Sequence, residues 1–239
     1  MLVSVVIPAY NEEKYLAKTL ASLTSQNHPN FDFEIIVANA ESTDKTAEIA
    51  KNYSVKVIKV PKINPATARQ KGIEASQGDI IACVDADTLV PSGHLQTIVD
   101  EFNRDPKTVG LTGIIEGWGG PFWQNFIYKW INTIFCKFNF ILGAYGFQGQ
   151  SFAFRKSAFL KIGGFNTQLH TGEDFDLGQR MSKVGSIKLI PKTFGISSIR
   201  RIKEGPIKTI SRGFLSYLKV VWKIPIKRKL EKESFPAIR

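Results

Sequence analysis

Strand and helix signals alternate through the first hundred residues, and no other feature constrains the fold of this chain as tightly. Residues 3–7 are an apolar strand segment, and residues 11–23 carry helical spacing at Tyr15, Leu16, Leu20 and Leu23. Residues 33–38, 55–60 and 80–84 read as further strands, with helices expected over 44–51, 65–76 and 94–102. Strands separated by helices of that length pair in parallel through right-handed crossovers. The expected fold is therefore α/β: a Rossmann-like, doubly wound, mainly parallel sheet with helices on both faces. Such sheets bind ligands beyond the carboxyl ends of their strands. Residues 8–12, 39–44 and 85–87 each follow a strand and should gather at one crevice.

The second half departs from this rhythm. Residues 109–115 and 152–154 read as strands, 156–162 and 173–184 as helices, and 187–190 with 193–197 as an edge hairpin. Residues 121–141 are aromatic-rich with only Lys129 and Lys137 charged, which suits either a core helix over the sheet or an element at a membrane interface. Cys83 and Cys136 are the only cysteines, without metal-ligand spacing, so neither a disulfide framework nor a zinc site is indicated. Cys83 falls in an apolar strand and is expected as a small core residue. The amino terminus opens directly into an apolar strand without a basic leader, so a signal peptide is not expected. A reducing, cytoplasmic setting follows as the default, and no apolar run reaches the length of a spanning helix.

Asp85-Ala86-Asp87 sits where the fourth strand ends. Alternate residues of an extended chain point the same way, so the two carboxylates converge on one small volume. Like charges held that close call for a cation between them. Magnesium or manganese carrying a diphosphate suits a set of hard oxygen ligands. The competing reading is a strand-end turn in which Asp85 or Asp87 caps the next helix.

Four further segments carry chemistry. Pro8-Ala9-Tyr10-Asn11-Glu12 runs from a strand into an aromatic residue and an acid, a plausible pocket for a base and ribose, although Asn11 also reads as a helix cap. Asn39 ends the second strand ahead of Ser42 and Thr43, which suit capping, and Arg69 lies on a helix that can face the crevice and reach a diphosphate. Gly172-Glu173-Asp174-Phe175-Asp176 places three acids at a helix start, with Arg180 further along. One of those carboxylates can deprotonate a hydroxyl while Arg180 binds phosphate. His170 nearby reads as incidental.

In their order along residues 3–185, these segments, together with Lys71-Gly72 and Gly163-Gly164-Phe165, resemble the family 2 glycosyltransferases of GT-A fold. The resemblance implies a nucleotide-diphospho-sugar donor, Mg2+ or Mn2+, and inversion at the anomeric carbon. It implies a nucleotide-sugar site formed by Pro8, Tyr10, Glu12, Val37, Asn39, Arg69, Asp85, Ala86 and Arg180. Asp85 and Asp87 would hold the metal, and Asp174 would be the general base. Residues 1–204 would then form the transferase domain, with 1–104 its nucleotide-binding half and 105–204 its acceptor-binding half. Where the family often has two acids and a glycine, this chain has Asn39-Ala40-Glu41, which leaves uridine and guanosine donors both open.

The net charge of +11 is uneven, because residues 200–239 hold twelve Lys or Arg against three Glu. Residues 207–222 have the spacing of an amphipathic helix, and Lys227-Arg228-Lys229 follows. Residues 205–239 thus read as a basic amphipathic helical tail suited to an anionic membrane surface. The expected acceptor is lipid-linked, with a soluble glycan as the alternative, and the expected location is peripheral on the inner face of the cell membrane. Nucleic acid is not expected as a partner, since the basic tail comes with no recognisable nucleic-acid motif.

Overall fold

A computed structural model describes residues 1–27, 31–169 and 171–200. The expected tail and its boundary at residue 205, together with His170, lie outside the described residues.

The first half alternates as anticipated: β1 (Leu2–Ala9), α1 (Leu16–Thr24), β2 (Asp32–Asn39), α2 (Thr46–Lys51), β3 (Lys56–Lys59), α3 (Pro65–Glu74), β4 (Ile80–Val84), the two-residue β5 (Thr88–Leu89) and α4 (His94–Arg104). There follow β6 (Thr108–Trp118), α5 (Phe122–Ile141), β7 (Ser151–Arg155), α6 (Lys156–Lys161), α7 (Glu173–Met181) and β8 (Ser186–Ser198). One sheet runs β3-β2-β1-β4-β7-β6-β8-β5. Its first four strands are parallel, as is β6 with β8. β7 runs antiparallel to both β4 and β6, and β5 antiparallel to β8, so the parallel character is concentrated in the first half.

Alternation along the strands builds the two faces. Val3, Val5 and Ile7 of β1 pack with Leu16, Leu20 and Leu23 of α1, Ala50 of α2 and Leu95, Ile98 and Phe102 of α4. Val6, Ile81 and Cys83 point the other way, against Ala66 and Ile73 of α3 and Leu177 and Met181 of α7. Helices thus cover both faces, as doubly wound sheets require. Cys83 is completely buried, and burial pushes its thiol up to about 12, as suits an inert core residue.

Two local expectations are corrected. Helix α1 begins at Leu16, not at residue 11, because Asn11 takes φ 53° and turns the chain toward the loop after β2. The hairpin expected over 187–197 is instead one strand, β8, paired in parallel with β6. Its register passes from Gly113 opposite Ile190 to Ile114 opposite Thr193, so Pro191 and Lys192 are accommodated as a bulge. Proline cannot donate to a ladder, and a bulge is where a strand tolerates it.

Candidate active site

The crevice forms where the β1 and β4 strand ends meet, with the chain turning outward to β2 and β3 on one side. The loop after β1 is stitched to the loop after β2 through backbone donors. Asn11 N–H donates to Ser42 Oγ (3.0 Å) and Thr43 N–H to Asn11 Oδ1 (2.9 Å). Glu12 N–H donates to Thr46 Oγ1 (2.7 Å), and Glu13 N–H to Asp44 Oδ2 (3.1 Å). The third loop, at Asp85–Asp87, joins them through side-chain charge.

Two arginines organise four acids there. Arg69, 3% exposed on α3, pairs with Asp85 Oδ1 (2.6 Å) and Glu173 Oε1 (2.7 Å) and donates to Gly149 O (3.0 Å). Burial opposes its charge, but Asp85 and Glu173 override that and hold the guanidinium firmly protonated. Helix α3 is set for this by Asn64, whose Oδ1 accepts from Thr67 N–H (2.8 Å), and by Pro65 in its first turn. Arg200, just beyond β8, meets Glu12 through two hydrogen bonds (2.7 and 2.5 Å) and approaches Asp87 Oδ2 at 3.0 Å. Its guanidinium lies 4.6 Å from the Tyr15 ring centre. β8 delivers it there because Ser198 N–H donates to Asp87 O (3.1 Å).

Asp174 stands at the start of α7, behind Gly172, which adopts φ 71°. Its Oδ1 accepts from Phe175 N–H (2.9 Å), and Gly149 lies so close that an added Cβ would stand 2.5 Å from Oδ2. Burial, reinforced by the like charge of Glu173, pushes the carboxyl up to about 7, against the opposing pull of Arg69. Asp174 keeps partial solvent access. A carboxylate poised near neutrality is suited to accepting a proton. Arg69 therefore connects the Asp85 end of the crevice to the Glu173–Asp174 end.

The other expected residues fall into two groups. Pro8 and Asn39 sit at adjacent strand ends, with Asn39 Oδ1 accepting from Ser42 N–H (3.2 Å). Half-buried Tyr10 lies under Lys62, whose Nζ is 4.1 Å from the ring centre. Val37, by contrast, is fully buried in the core and its side chain has no surface to offer a ligand. Ala86 is 3% exposed, and its carbonyl accepts from Thr19 Oγ1 (2.8 Å), fixing the loop to α1. Arg180 is engaged away from Asp85 and Asp87: it pairs with Asp176 (2.7 Å) and donates to Ile162 O (3.1 Å) and Gly164 O (2.7 Å). There it secures the turn at Gly163 and Gly164, both at positive φ. The cationic place expected of Arg180 is held by Arg69 and Arg200.

Arg200, Glu173 and Gly149 were not singled out from sequence. Arg200 reads as the first charge of a basic tail, yet it follows a strand end, the position that marks ligand loops in this fold class. Glu173 is hidden among three neighbouring acids, and Gly149 has no sequence signal.

The acids fit a divalent cation that arrives with a diphosphate. Among the described residues, no three His, Cys, Asp or Glu side chains cluster to enclose a metal. Mg2+ commonly needs only one or two carboxylates when phosphate oxygens complete its shell. Asp85 and Asp87 supply hard oxygens, and four acids face two arginines, leaving negative charge for a cation. Binding at Asp87 requires Arg200 to shift or share that carboxylate. Gln150 Oε1, Ser151 Oγ and Arg69 Nε are also buried without a hydrogen-bond partner, as suits a crevice that takes a polar ligand.

The sequence pattern described as Glycosyl transferase family 2 matches residues 4–163. The chain belongs to the family 2 glycosyltransferases. Among family relatives, a dolichyl N-acetyl-alpha-D-glucosaminyl phosphate 3-beta-D-2,3-diacetamido-2,3-dideoxy-beta-D-glucuronosyltransferase of Methanococcus voltae is 24% identical over 93% of this chain and 77% of its own length. The poly(ribitol-phosphate) beta-N-acetylglucosaminyltransferase TarS of Staphylococcus aureus is 31% identical over 51% of the chain, which spans only 22% of that enzyme. The glycosyltransferase also shares its GT-A fold with solved structures. TarS 1–349 in complex with UDP-GlcNAc superposes with a TM-score of 0.68 at 18% identity, covering 98% of this chain and 70% of TarS 1–349. The mannosyltransferase PcManGT of Pyrobaculum calidifontis, in complex with GDP-Man and Mn2+, gives 0.69 at 18%, covering 98% and 69%.

Proposed function

We propose that this glycosyltransferase moves a sugar from a nucleoside-diphospho-sugar to an acceptor hydroxyl, with inversion at the anomeric carbon. The observation that carries the proposal is the Asp85–Arg69–Glu173 bridge, which links the diphosphate end of the crevice to Asp174. The nucleoside lies along Pro8, Tyr10, Glu12 and Asn39, and the diphosphate lies toward Asp85 and Asp87. Those two carboxylates would hold Mg2+ or Mn2+, a reading supported by the Mn2+ in the PcManGT complex. When bound, the ion supplies positive charge for the departing phosphate oxygens.

The chain's own residues do the rest. Asp174 accepts the acceptor proton as the acceptor oxygen forms its bond to the anomeric carbon. The bond from that carbon to the diphosphate oxygen breaks on the opposite face, and its electron pair leaves with the nucleoside diphosphate. Arg69 stabilises Asp85 and, with Arg200, provides preorganised positive charge near the leaving group. Gly149 leaves room for the base to approach the transferred sugar. No covalent sugar–enzyme intermediate is needed.

The acceptor we favour is lipid-linked, on the strength of the Methanococcus voltae relative, whose name specifies a dolichyl phosphate-linked sugar and whose match extends over most of the chain. Donor identity is best tested with a panel of UDP- and GDP-sugars in Mg2+ or Mn2+, offered with polyprenyl-phosphate-linked or free sugar acceptors. Transfer from one donor, lost in Asp85→Ala, is the expected result. Absence of transfer or hydrolysis with every donor would overturn the reading.

A further inference from the structure

Helix α5 is built inside out. A surface helix ordinarily turns its apolar stripe to the core and its polar side to water. Here Thr133 and Asn139 are buried with Cys136, while Trp123, Phe126, Trp130, Ile134, Phe138 and Ile141 are exposed at three- and four-residue spacing. Phe122 at the amino-terminal end is 84% exposed and Ile141 at the other end 82%, so the stripe runs the whole helix. Twenty residues at 1.5 Å each make it about 30 Å long. The polar side faces the sheet, where the Lys129 ammonium pairs with Glu116 (2.7 Å) and Gln150 Nε2 donates to Tyr128 Oη (3.2 Å).

We propose that α5 lies flat in the headgroup region of an anionic bilayer, with this stripe against the acyl chains. Three observations select lipid as the occupant. The stripe carries two tryptophans, which favour the level of the headgroups. Residues 117–172 contain no Asp or Glu, and Lys137 is exposed beside the stripe, so nothing acidic opposes an anionic surface. Finally, Ile199 packs beside Gly117 and Gly120 at the start of α5, and the sequence from residue 201 onward holds eleven Lys or Arg against three Glu. A second copy of the chain, itself carrying a net +11, would be repelled, whereas an anionic membrane is attracted. No described helix is long and apolar enough to cross a membrane, which fits in-plane docking.

The face stands independently of the sugar-transfer reading, but the two meet. The Phe135 ring on the inner side of α5 packs edge-on against Phe175, next to Asp174, at 5.8 Å between ring centres. Docking through α5 therefore places the base close to the membrane surface, where the sugar of a lipid-linked acceptor lies.

The test is cosedimentation of the full chain with phosphatidylcholine–phosphatidylglycerol vesicles, compared with the combined variant Trp123→Gln, Phe126→Gln, Trp130→Gln and Ile134→Gln. We expect the variant to bind about tenfold or more weakly, and brominated lipid to quench wild-type tryptophan fluorescence less in Trp123→Phe and Trp130→Phe. Equal sedimentation of both proteins would show that basic residues alone hold the membrane and would overturn the proposal. So would a wild-type protein that ignores vesicles, whether as a dimer dissolved by the four substitutions, with a second copy on the stripe, or as a monomer, with the chain covering its own stripe.

Discussion

Asp174→Asn should weaken catalysis and strengthen the fold at once. The carboxyl rises from 3.8 to about 7, chiefly by burial and secondarily through Glu173. Below pH 3.8 it is protonated in folded and unfolded chains alike, and costs nothing. As pH rises through the interval to about 7, the unfolded chain ionises first, so the folded state loses stability progressively and bears the full cost above about 7. At about 1.36 kcal/mol per pKa unit, the ceiling is about 4 kcal/mol. Partial solvent access reduces the expected gain on substitution to about 1–2 kcal/mol. Asparagine keeps the oxygen that accepts from Phe175 N–H, so the helix start is preserved. Urea unfolding of both proteins between about pH 5 and about pH 9 measures the difference. It should open in favour of Asp174→Asn as pH rises, while sugar transfer falls about 10²–10⁴-fold. Parallel stability curves across that range would refute the claim that Asp174 is held as a strained, raised carboxyl.

The remaining predictions concern the groups around that base. Gly149→Ala places a methyl group 2.5 Å from Asp174 Oδ2, and should lower kcat about tenfold or more while leaving donor KM nearly unchanged in steady-state assays. Arg200→Gln leaves Glu12 and Asp87 without their shared guanidinium, and should cost about 1–3 kcal/mol in urea unfolding, less than a fully buried pair would. The same variant should bind Mn2+ more tightly in the absence of nucleotide, as read by calorimetry, because the competing cation at Asp87 is gone.

The layered α/β architecture was legible because apolar strand runs and helical spacing are local signals, and the first four strands carry them cleanly. The β8 bulge was not, since it depends on which residues of β6 lie opposite Pro191 and Lys192. Asp85, Asp87 and Asp174 stand out in the sequence because they follow a strand or lie at a helix start, and their roles remain part of the proposal. The arginine pattern could not. Arg180 is bound to backbone carbonyls around residues 162–164, and Arg200 enters the site only because β8 lies beside β6 and β5, a pairing far from local in sequence. Helix α5 shows the same limit in another form. Its composition signals an apolar element, but only the fold reveals that Thr133, Cys136 and Asn139 are buried while Trp123, Phe126, Trp130 and Phe138 face outward.

The central claim is that Asp85 and Asp87 anchor the diphosphate of a nucleotide-sugar. Calorimetric titration of UDP- and GDP-sugars in Mn2+, on wild type and Asp87→Ala, tests it most directly. Saturable binding of one donor by wild type, with a loss of about 10²-fold or more in affinity on substitution, is the expected result. Equal donor affinity in the two proteins would contradict it.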